Sequence, residues 1–348
     1  MRRVRLVGFT LIELLVVIAV IALLVTILLP SLNRAKDLAR SAVCRVHLQA
    51  AAKAQRIYSS EYGGYLAGPN GSGYALRQSL LAGGRPDPNW FVGSDRPIQF
   101  DDWMSPIIGE TRDLPEERSR RVIALFNDEF RCPANDLEYT KIYGETHDEW
   151  WPDLDKEPIS FNSYSAPITL HAFSNLAHAR KKGKPYAYYL RGHDEGVVDI
   201  STSNYDGRIE SIGEEALKAC AMDGSRYIKQ ANEDDKPICD FNADPYSTSW
   251  PQTFMNRGPG LNAYYQNNGN PYKFEEDNRN NRNLHWMSEK YSYRHPDNTM
   301  NISFMDGHVE NCANERSRTA GFWFPSGSTV LDIGNLSDLN AQKGDVID

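Results

Sequence analysis

The 348-residue sequence lacks the spacings on which most catalytic and metal sites are built. It has no Cys-x-x-Cys, no His-Glu-x-x-His and no Gly-x-Ser-x-Gly, which argues against a paired zinc site, a zinc protease and a nucleophile elbow. Long helical periodicity is absent after Tyr62, where Asn, Asp, Gly and Pro recur without a repeat. That region reads as a loop-rich body with short strands. Basic residues are also outnumbered there by acidic ones. Residues 1–61 hold nine Arg and Lys against Glu13, Asp37 and Glu61, a balance of +6, while the remainder holds 29 against 43, a balance of −14. An acidic body of this kind argues against a nucleic-acid partner, because phosphate binding needs gathered positive charge. The length allows one large domain or two smaller ones.

What is present is one long apolar run, Phe9 to Leu29, interrupted by Thr10, Glu13 and Thr26. Its 21 residues suffice to cross a hydrocarbon core of about 30 Å at about 1.5 Å per residue. Pro30-Ser31-Leu32-Asn33 offers no small-x-small cleavage site, so a conventional signal peptide is disfavoured. A plain anchor leaves Glu13 unexplained, since an ionisable side chain at membrane depth is costly and marks function.

Gly8-Phe9-Thr10-Leu11-Ile12-Glu13-Leu14-Leu15-Val16-Val17 resembles the class III signal of type IV pilins and type II secretion pseudopilins. The resemblance implies cleavage by a prepilin peptidase between Gly8 and Phe9, on the cytoplasmic side, and N-methylation of Phe9. Glu13 then becomes the fifth mature residue. Its carboxylate is expected to meet the α-amine of a neighbouring subunit and to set register during assembly. Loss of the leader would take the net charge from −8 to −11. Basic residues flank both ends of the span, so the positive-inside count is nearly even. The cytoplasmic N-terminus follows from the cleavage signal instead.

From Leu32 to Tyr62 the spacing predicts a continued helix with two stripes. Leu32, Ala35, Ala39, Ala42, Val43, Val46, Ala50 and Ile57 form one. Cys44, Leu48, Ala51, Gln55 and Tyr62 form the other. One stripe could pack on the chain's own head and the other on neighbouring subunits; a single wide face buried in a monomer is the alternative. Pro30 removes a helix hydrogen bond. The resemblance implies helix loosening there on assembly, against a simple bend at the membrane surface. Gly63-Gly64 is a helix stop.

In the body, helices are expected at Glu116–Asn127, Leu170–Lys181 and Glu214–Met222. Phe130-Arg131-Cys132-Pro133 reads as an extended strand end, and its Cys-Pro dipeptide and a cysteine at the Cys44 place also recur in the pilin-like group that the chain resembles. They imply a Cys44–Cys132 disulfide tying helix to head, with two buried thiols as the alternative. Cys220 and Cys239 are close enough in sequence to close a local loop, which would leave Cys312 free. Residues 293–310, YRHPDNTMNISFMDGHVE, alternate apolar and polar at period 2 before Asp306-Gly307, a strong two-residue hairpin turn that sets Phe304 opposite Val309. The stretch resembles the H-x9-D-G segment of prepilin-processed bacterial proteins. Ten residues, not nine, separate His295 from Asp306, which points to a bulge or a longer loop after His295.

His295, Ser303, Asp306 and His308 could be drawn as a catalytic or metal group, but the turn explains Asp306 and the strand explains Ser303. No enzyme activity is expected. Asp240-Phe241-Asn242-Ala243-Asp244 opens like a calcium loop, yet Pro245 and Pro251 stand where glycine and glutamate are needed. No metal or other cofactor is expected beyond an irregular calcium site there, and a solvated acidic loop is the preferred reading. Aromatic residues among Asn and Asp could form a glycan-binding surface, although buried aromatics are commoner.

The resulting expectation is an α+β chain. Residues 1–8 are a leader, 9–29 a membrane half-helix and 30–62 a soluble half-helix. Residues 63–348 are a large loop-rich head with an antiparallel sheet and polar elaboration at about 141–290. The function implied by the resemblance is a structural subunit of a type IV pilus or a type II secretion pseudopilus, and the size of the head favours a minor or specialised one. The alternative is a membrane-anchored adhesin or glycan-binding protein. Expected partners are prepilin peptidase, other pilin or pseudopilin subunits and inner-membrane lipid. The head would be periplasmic, or at the cell surface after assembly.

Overall fold

The computed structural model describes residues 10–81, 84, 87–109, 111–135, 160, 162–171, 205–229, 293–330 and 340–348. It also describes the backbone of short strands at 180–181, 184–185, 200–201, 238–239, 255–256 and 287–290. One helix, α1, runs from Leu11 to Glu61. Pro30 lies inside it, and its ring nitrogen supplies no N–H to the Thr26 carbonyl. The helix ends where expected. Tyr62 is the C-cap, Gly64 N–H donates to the Ser59 carbonyl, and Gly63 and Gly64 take φ of +65° and +85°. At Gly64 the left-handed φ is what favours glycine, since a Cβ there would meet only the movable end of the Glu210 side chain.

The head is α+β. Helices α2 (Tyr74–Leu81), α3 (Met104–Gly109) and α4 (Arg118–Ala124) precede the sheet. Asp102 starts α3: Oδ1 accepts the Met104 and Ser105 amides at 2.9 and 3.0 Å, and Oδ2 accepts the Ile98 amide. The main sheet holds β1 (Tyr164–Pro167), β2 (Ala219–Asp223), β3 (Met255–Asn256), β4 (Thr299–Phe304) and β5 (Val309–Ala313). Their spatial order is β5-β4-β2-β1-β3. The first four run antiparallel, and β3 adds a short parallel edge beside β1.

The sheet is covered on both faces. Met300, Ile302 and Phe304 point into a cluster with Phe322, Trp323, Phe324 and Val330 near the C-terminal end. The alternate residues Asn301 and Ser303 lie under α1, where Asn301 reaches Ser41. A third layer on α1 packs Cys44, Leu48, Ala51 and Tyr58 against Trp103, Met104, Ile107 and Phe126. Period-2 alternation therefore separates an apolar cluster from a polar, helix-covered face.

Three local expectations are corrected. The helix at Glu214–Met222 is a 3-10 turn, Glu215–Leu217, followed by strand β2. Every residue of β2 is buried, so its short apolar run carries no period to separate strand from helix. The helix at Leu170–Lys181 is a short Ile168–His171 helix, and Arg180–Lys181 is strand. The predicted Phe304–Val309 pairing is shifted by one: Ser303 pairs with Val309, and Phe304 N–H bonds the His308 carbonyl. The turn thus spans Met305, Asp306 and Gly307. Gly307 at φ +94° supplies the left-handed residue of a three-residue hairpin, and Asp306 Oδ1 accepts the His308 amide. The other predicted head helix occurs as α4 with Glu117 as N-cap, running on into a π-helical turn at Leu125–Glu129.

Candidate functional site

The functional candidates divide between the uncovered length of α1 and the polar knot that fastens α1 to the head. Gly8 and Phe9 lie outside the described residues. Glu13 closes the first turn of the helix. Its Oε2 accepts both the Thr10 amide and the Thr10 hydroxyl at 2.8 Å, while Thr10 Oγ1 accepts the Glu13 amide at 3.3 Å. This is a capping box, and Thr10-x-x-Glu13 is its sequence signature. That signal was legible in the sequence. Glu13 accordingly has a partner within its own chain.

All residues from Leu11 to Ala39 are exposed in the chain, and the segment is long and apolar enough to cross a membrane. Beyond it the two predicted stripes separate. Cys44, Leu48, Ala51 and Gln55 are buried against the head, whereas Val43, Val46 and Ile57 remain exposed. Tyr62 is the exception in the buried stripe, exposed at the helix end.

Several links moor the buried stripe. Cys44 and Cys132 form a disulfide with Cα atoms 5.2 Å apart. His47 Nδ1 lies 3.1 Å from the Tyr164 hydroxyl, and burial, with a lesser push from Arg112, holds that imidazole below its ordinary pKa. Arg56 pairs with Glu215 and donates to the Met305 carbonyl at the hairpin. Arg34 meets Asp297 at 3.1 Å, an exposed pair of little energetic weight.

His295 lies at the base of this mooring. Its Nε2 donates to Asp223 Oδ2 at 2.9 Å and lies 3.9 Å from Cys132 Sγ. Asp223 Oδ2 also accepts the Asn301 amide at 2.7 Å, and Arg294 Nη2 stands 3.6 Å from Oδ1. Arg294 in turn donates to Ser225 Oγ and to the Ser163 carbonyl. The side chains of Asp223, Arg294 and His295 are fully buried, so the carboxylate is compensated by an imidazole and a guanidinium inside the core. After His295 the chain makes a tight turn. His295 bridges Thr299, with Asp297 and Asn298 at φ of +62° and +53°. Sequence reasoning missed Asp223, which strand pairing alone brings to His295, and it missed Arg294, the neighbour of His295 in sequence, because its partners Asp223, Ser225 and Ser163 lie in distant segments.

The imagined group of His295, Ser303, Asp306 and His308 is not assembled. The length of β4, about 20 Å, separates its two ends. Ser303 Oγ is engaged with the Ala221 amide and carbonyl, and His308 Nδ1 bonds Asp306 at 2.6 Å beside the exposed hairpin tip. Cys44, Cys132, Asp223 and His295 place potential ligand atoms within 4.8 Å of one another. Both sulfurs are used in the disulfide, so no thiolate donor remains in that set. The expected Cys220–Cys239 bridge is corrected: Cys220 is a buried free thiol, as is Cys312. Cys220 lies on β2 of the main sheet, whereas Cys239 lies on a strand of a separate three-stranded sheet. Burial pushes the Cys220 thiol up to about 12, far from its reactive thiolate form. The calcium-like stretch 240–245 lies outside the described residues.

Comparison with known proteins adds one short likeness. The chain is 45% identical over 58 residues to the type IV wide pilus major component PilA4 of Thermus thermophilus. The match takes in 17% of this chain and 44% of that relative, so the chain spans less than half the length of the curated relative it matches. No family model and no solved structure matches. A long apolar N-terminal helix on an α+β head, together with this partial likeness, fits a pilin-like architecture.

Proposed function

We infer that the chain is a structural subunit processed by prepilin peptidase between Gly8 and Phe9 and assembled through α1 into a type IV pilus or a type II secretion pseudopilus. The observation that carries this reading is the uncovered apolar side of α1. It runs the length of the membrane half and continues as Val43, Val46 and Ile57 beside the head. A helix that buries one stripe at home and leaves a second apolar stripe open is built to pack against copies of itself or related subunits. The membrane half anchors the subunit with its N-terminus in the cytoplasm and the head outside. After processing, Glu13 is four residues from the new α-amine. Pairing with a neighbour's amine relieves the cost of the carboxylate in lipid and fixes the stagger between subunits. Pro30 weakens the helix where lipid gives way to the soluble half, which lets the subunit adjust as it packs. The large head marks a minor or specialised subunit, and its role is mechanical rather than catalytic.

The test is the mature N-terminus, read by intact mass and peptide sequencing in cells with and without prepilin peptidase. The expected product begins at methylated Phe9 only when the enzyme is present. A chain that still begins at Met1 in normal cells would overturn the reading.

A further inference from the structure

A cavity of about 480 Å³ opens at the far end of α1 from the membrane half. Four tyrosines and a charge pair line it: Tyr58, Tyr62, Tyr65, Tyr74, Asp95 and Arg96. We propose that this cavity is a binding site for neutral carbohydrate. The proposal does not depend on filament assembly.

The aromatic content is the first argument. Tyr58 and Tyr62, one helical turn apart on α1, stack with ring centroids 4.3 Å apart and planes 14° from parallel. Tyr62 is 47% exposed and Tyr74 38%, so large rings face water at the mouth of the cavity rather than filling the core. Pyranose rings present C–H faces that settle on the electron-rich face of an aromatic ring, and tyrosine adds a hydroxyl at its edge. Of the described tryptophans, Trp103 and Trp323 are fully buried and the half-buried Trp90 packs on the core outside this cavity, so the aromatic lining here is tyrosine.

The polar lining is the second. A sugar hydroxyl both donates and accepts, whereas a carboxylate only accepts and a guanidinium only donates. Adjacent Asp95 and Arg96 supply both functions with no net charge, and Asn70 and Ser72 add an amide and a hydroxyl. Because the two charges are adjacent and opposite, the lining as a whole selects for neither an anion nor a cation. A polyproline peptide would suit the tyrosines, but its backbone offers no N–H for Asp95. A volume of this size accommodates a mono- or disaccharide.

Rigidity is the third. The loop between α1 and α2 is tied by Gly71 and Gly73 amides donating to the Gly68 carbonyl and by Gly68 N–H donating to Ser72 Oγ. A Cβ at Gly73 would fall 1.8 Å from the Phe100 carbonyl oxygen, so this wall is seated against the 98–103 segment. Tyr65 is held by Arg208, whose guanidinium lies 4.8 Å from the ring centre. A preformed site loses less entropy on binding. At about 1.5 Å per residue the cavity stands about 50 Å from the end of the apolar run, clear of a membrane surface.

The experiment uses the detergent-solubilised full chain, titrated calorimetrically with cellobiose, maltose, xylobiose and chitobiose. Decaproline and tetramethylammonium are run in parallel. The expected result is saturable binding of at least one disaccharide, weakened about tenfold or more by Tyr62→Ala and by Asp95→Asn, the loss fitting one stacked ring or one charge-assisted hydrogen bond. Both positions are exposed, and thermal melting checks that each variant folds; if Tyr62→Ala melts early, the near-isosteric Asp95→Asn decides. Absence of binding by all four disaccharides overturns the proposal. So does disaccharide binding that neither variant weakens. Binding of decaproline or tetramethylammonium in place of the sugars also overturns it and reassigns the cavity.

Discussion

Glu13 has two partners to choose between, and a single atom exchange separates them. Within the chain its carboxylate caps the helix through Thr10. In an assembly it is proposed to meet a neighbour's amine. Glu13→Gln keeps a carbonyl oxygen for the Thr10 amide but removes the charge; Glu13→Leu removes both. Filament yield in a sheared surface fraction is expected to collapse for both variants while membrane insertion persists. Near-normal yield for Glu13→Gln would show that the cap, not the charge, is what matters. A second residue sets a pH dependence. His171 is fully buried, with Nδ1 donating to the Ala67 carbonyl at 2.7 Å, and burial pushes its pKa down to about 4. The unfolded value is about 6.5. Below that value the unfolded chain takes up the proton first. The stability tied to a neutral His171 is therefore complete above about 6.5 and is lost as the pH falls towards about 4. Melting temperature against pH is expected to slope upward across that window in the parent chain. The slope should flatten in His171→Asn, which keeps a donor towards Ala67 and does not titrate. Neither residue's role was evident from its type. Thr10-x-x-Glu13 announces a cap to a reader looking for one, but nothing near His171 in sequence marks it for burial beside Ala67.

At the scale of elements, the fold depends on fastening a helix of 51 residues to a head that buries residues of its second half only. The Cys44–Cys132 disulfide closes a separation of 88 residues. In the chain-entropy account such a cross-link stabilises by about 4–5 kcal/mol. Replacing both cysteines by alanine is expected to lower the melting temperature of the head markedly, with a matching fall under thiol reductant in the parent chain. Melting unaffected by reductant would show that the His295, Asp223 and Arg294 knot holds the helix without the bridge. The strand elements show where sequence signals run out. Period 2 in Thr299–Phe304 identifies β4 because one face is apolar, yet the other face is buried too, under α1. Its small polar side chains pay their desolvation through Ser41, Asn311 and Ala221. β2 has no such contrast and reads equally well as helix. The hairpin turn was legible as Asp306-Gly307, but its length depended on which residue took the left-handed conformation, and Gly307 takes it.

For the whole molecule, the open stripe on α1 and the closed one beside the head make opposite predictions. Val46→Asp and Ile57→Asp alter exposed positions, 63% and 47% accessible. Each should leave the melting of the head within the small change usual for surface substitutions, about 0.5 kcal/mol, while abolishing assembly. Normal filaments from both variants would place the contact between subunits elsewhere. The sequence by itself determined the long helix, its apolar half, its glycine stop, the presence of two stripes and the β4 hairpin. These follow from local periodicity, from steric limits on φ and from the cost of exposing backbone in lipid, all of which act within a few residues. Tertiary structure alone decided which stripe faces the head, that Cys220 stays a free thiol, that His295 is locked to Asp223 rather than joined to Asp306, and that four tyrosines line one cavity. Those outcomes depend on pairings between segments far apart in the chain, where competing partners differ by packing and desolvation energies that no local pattern encodes.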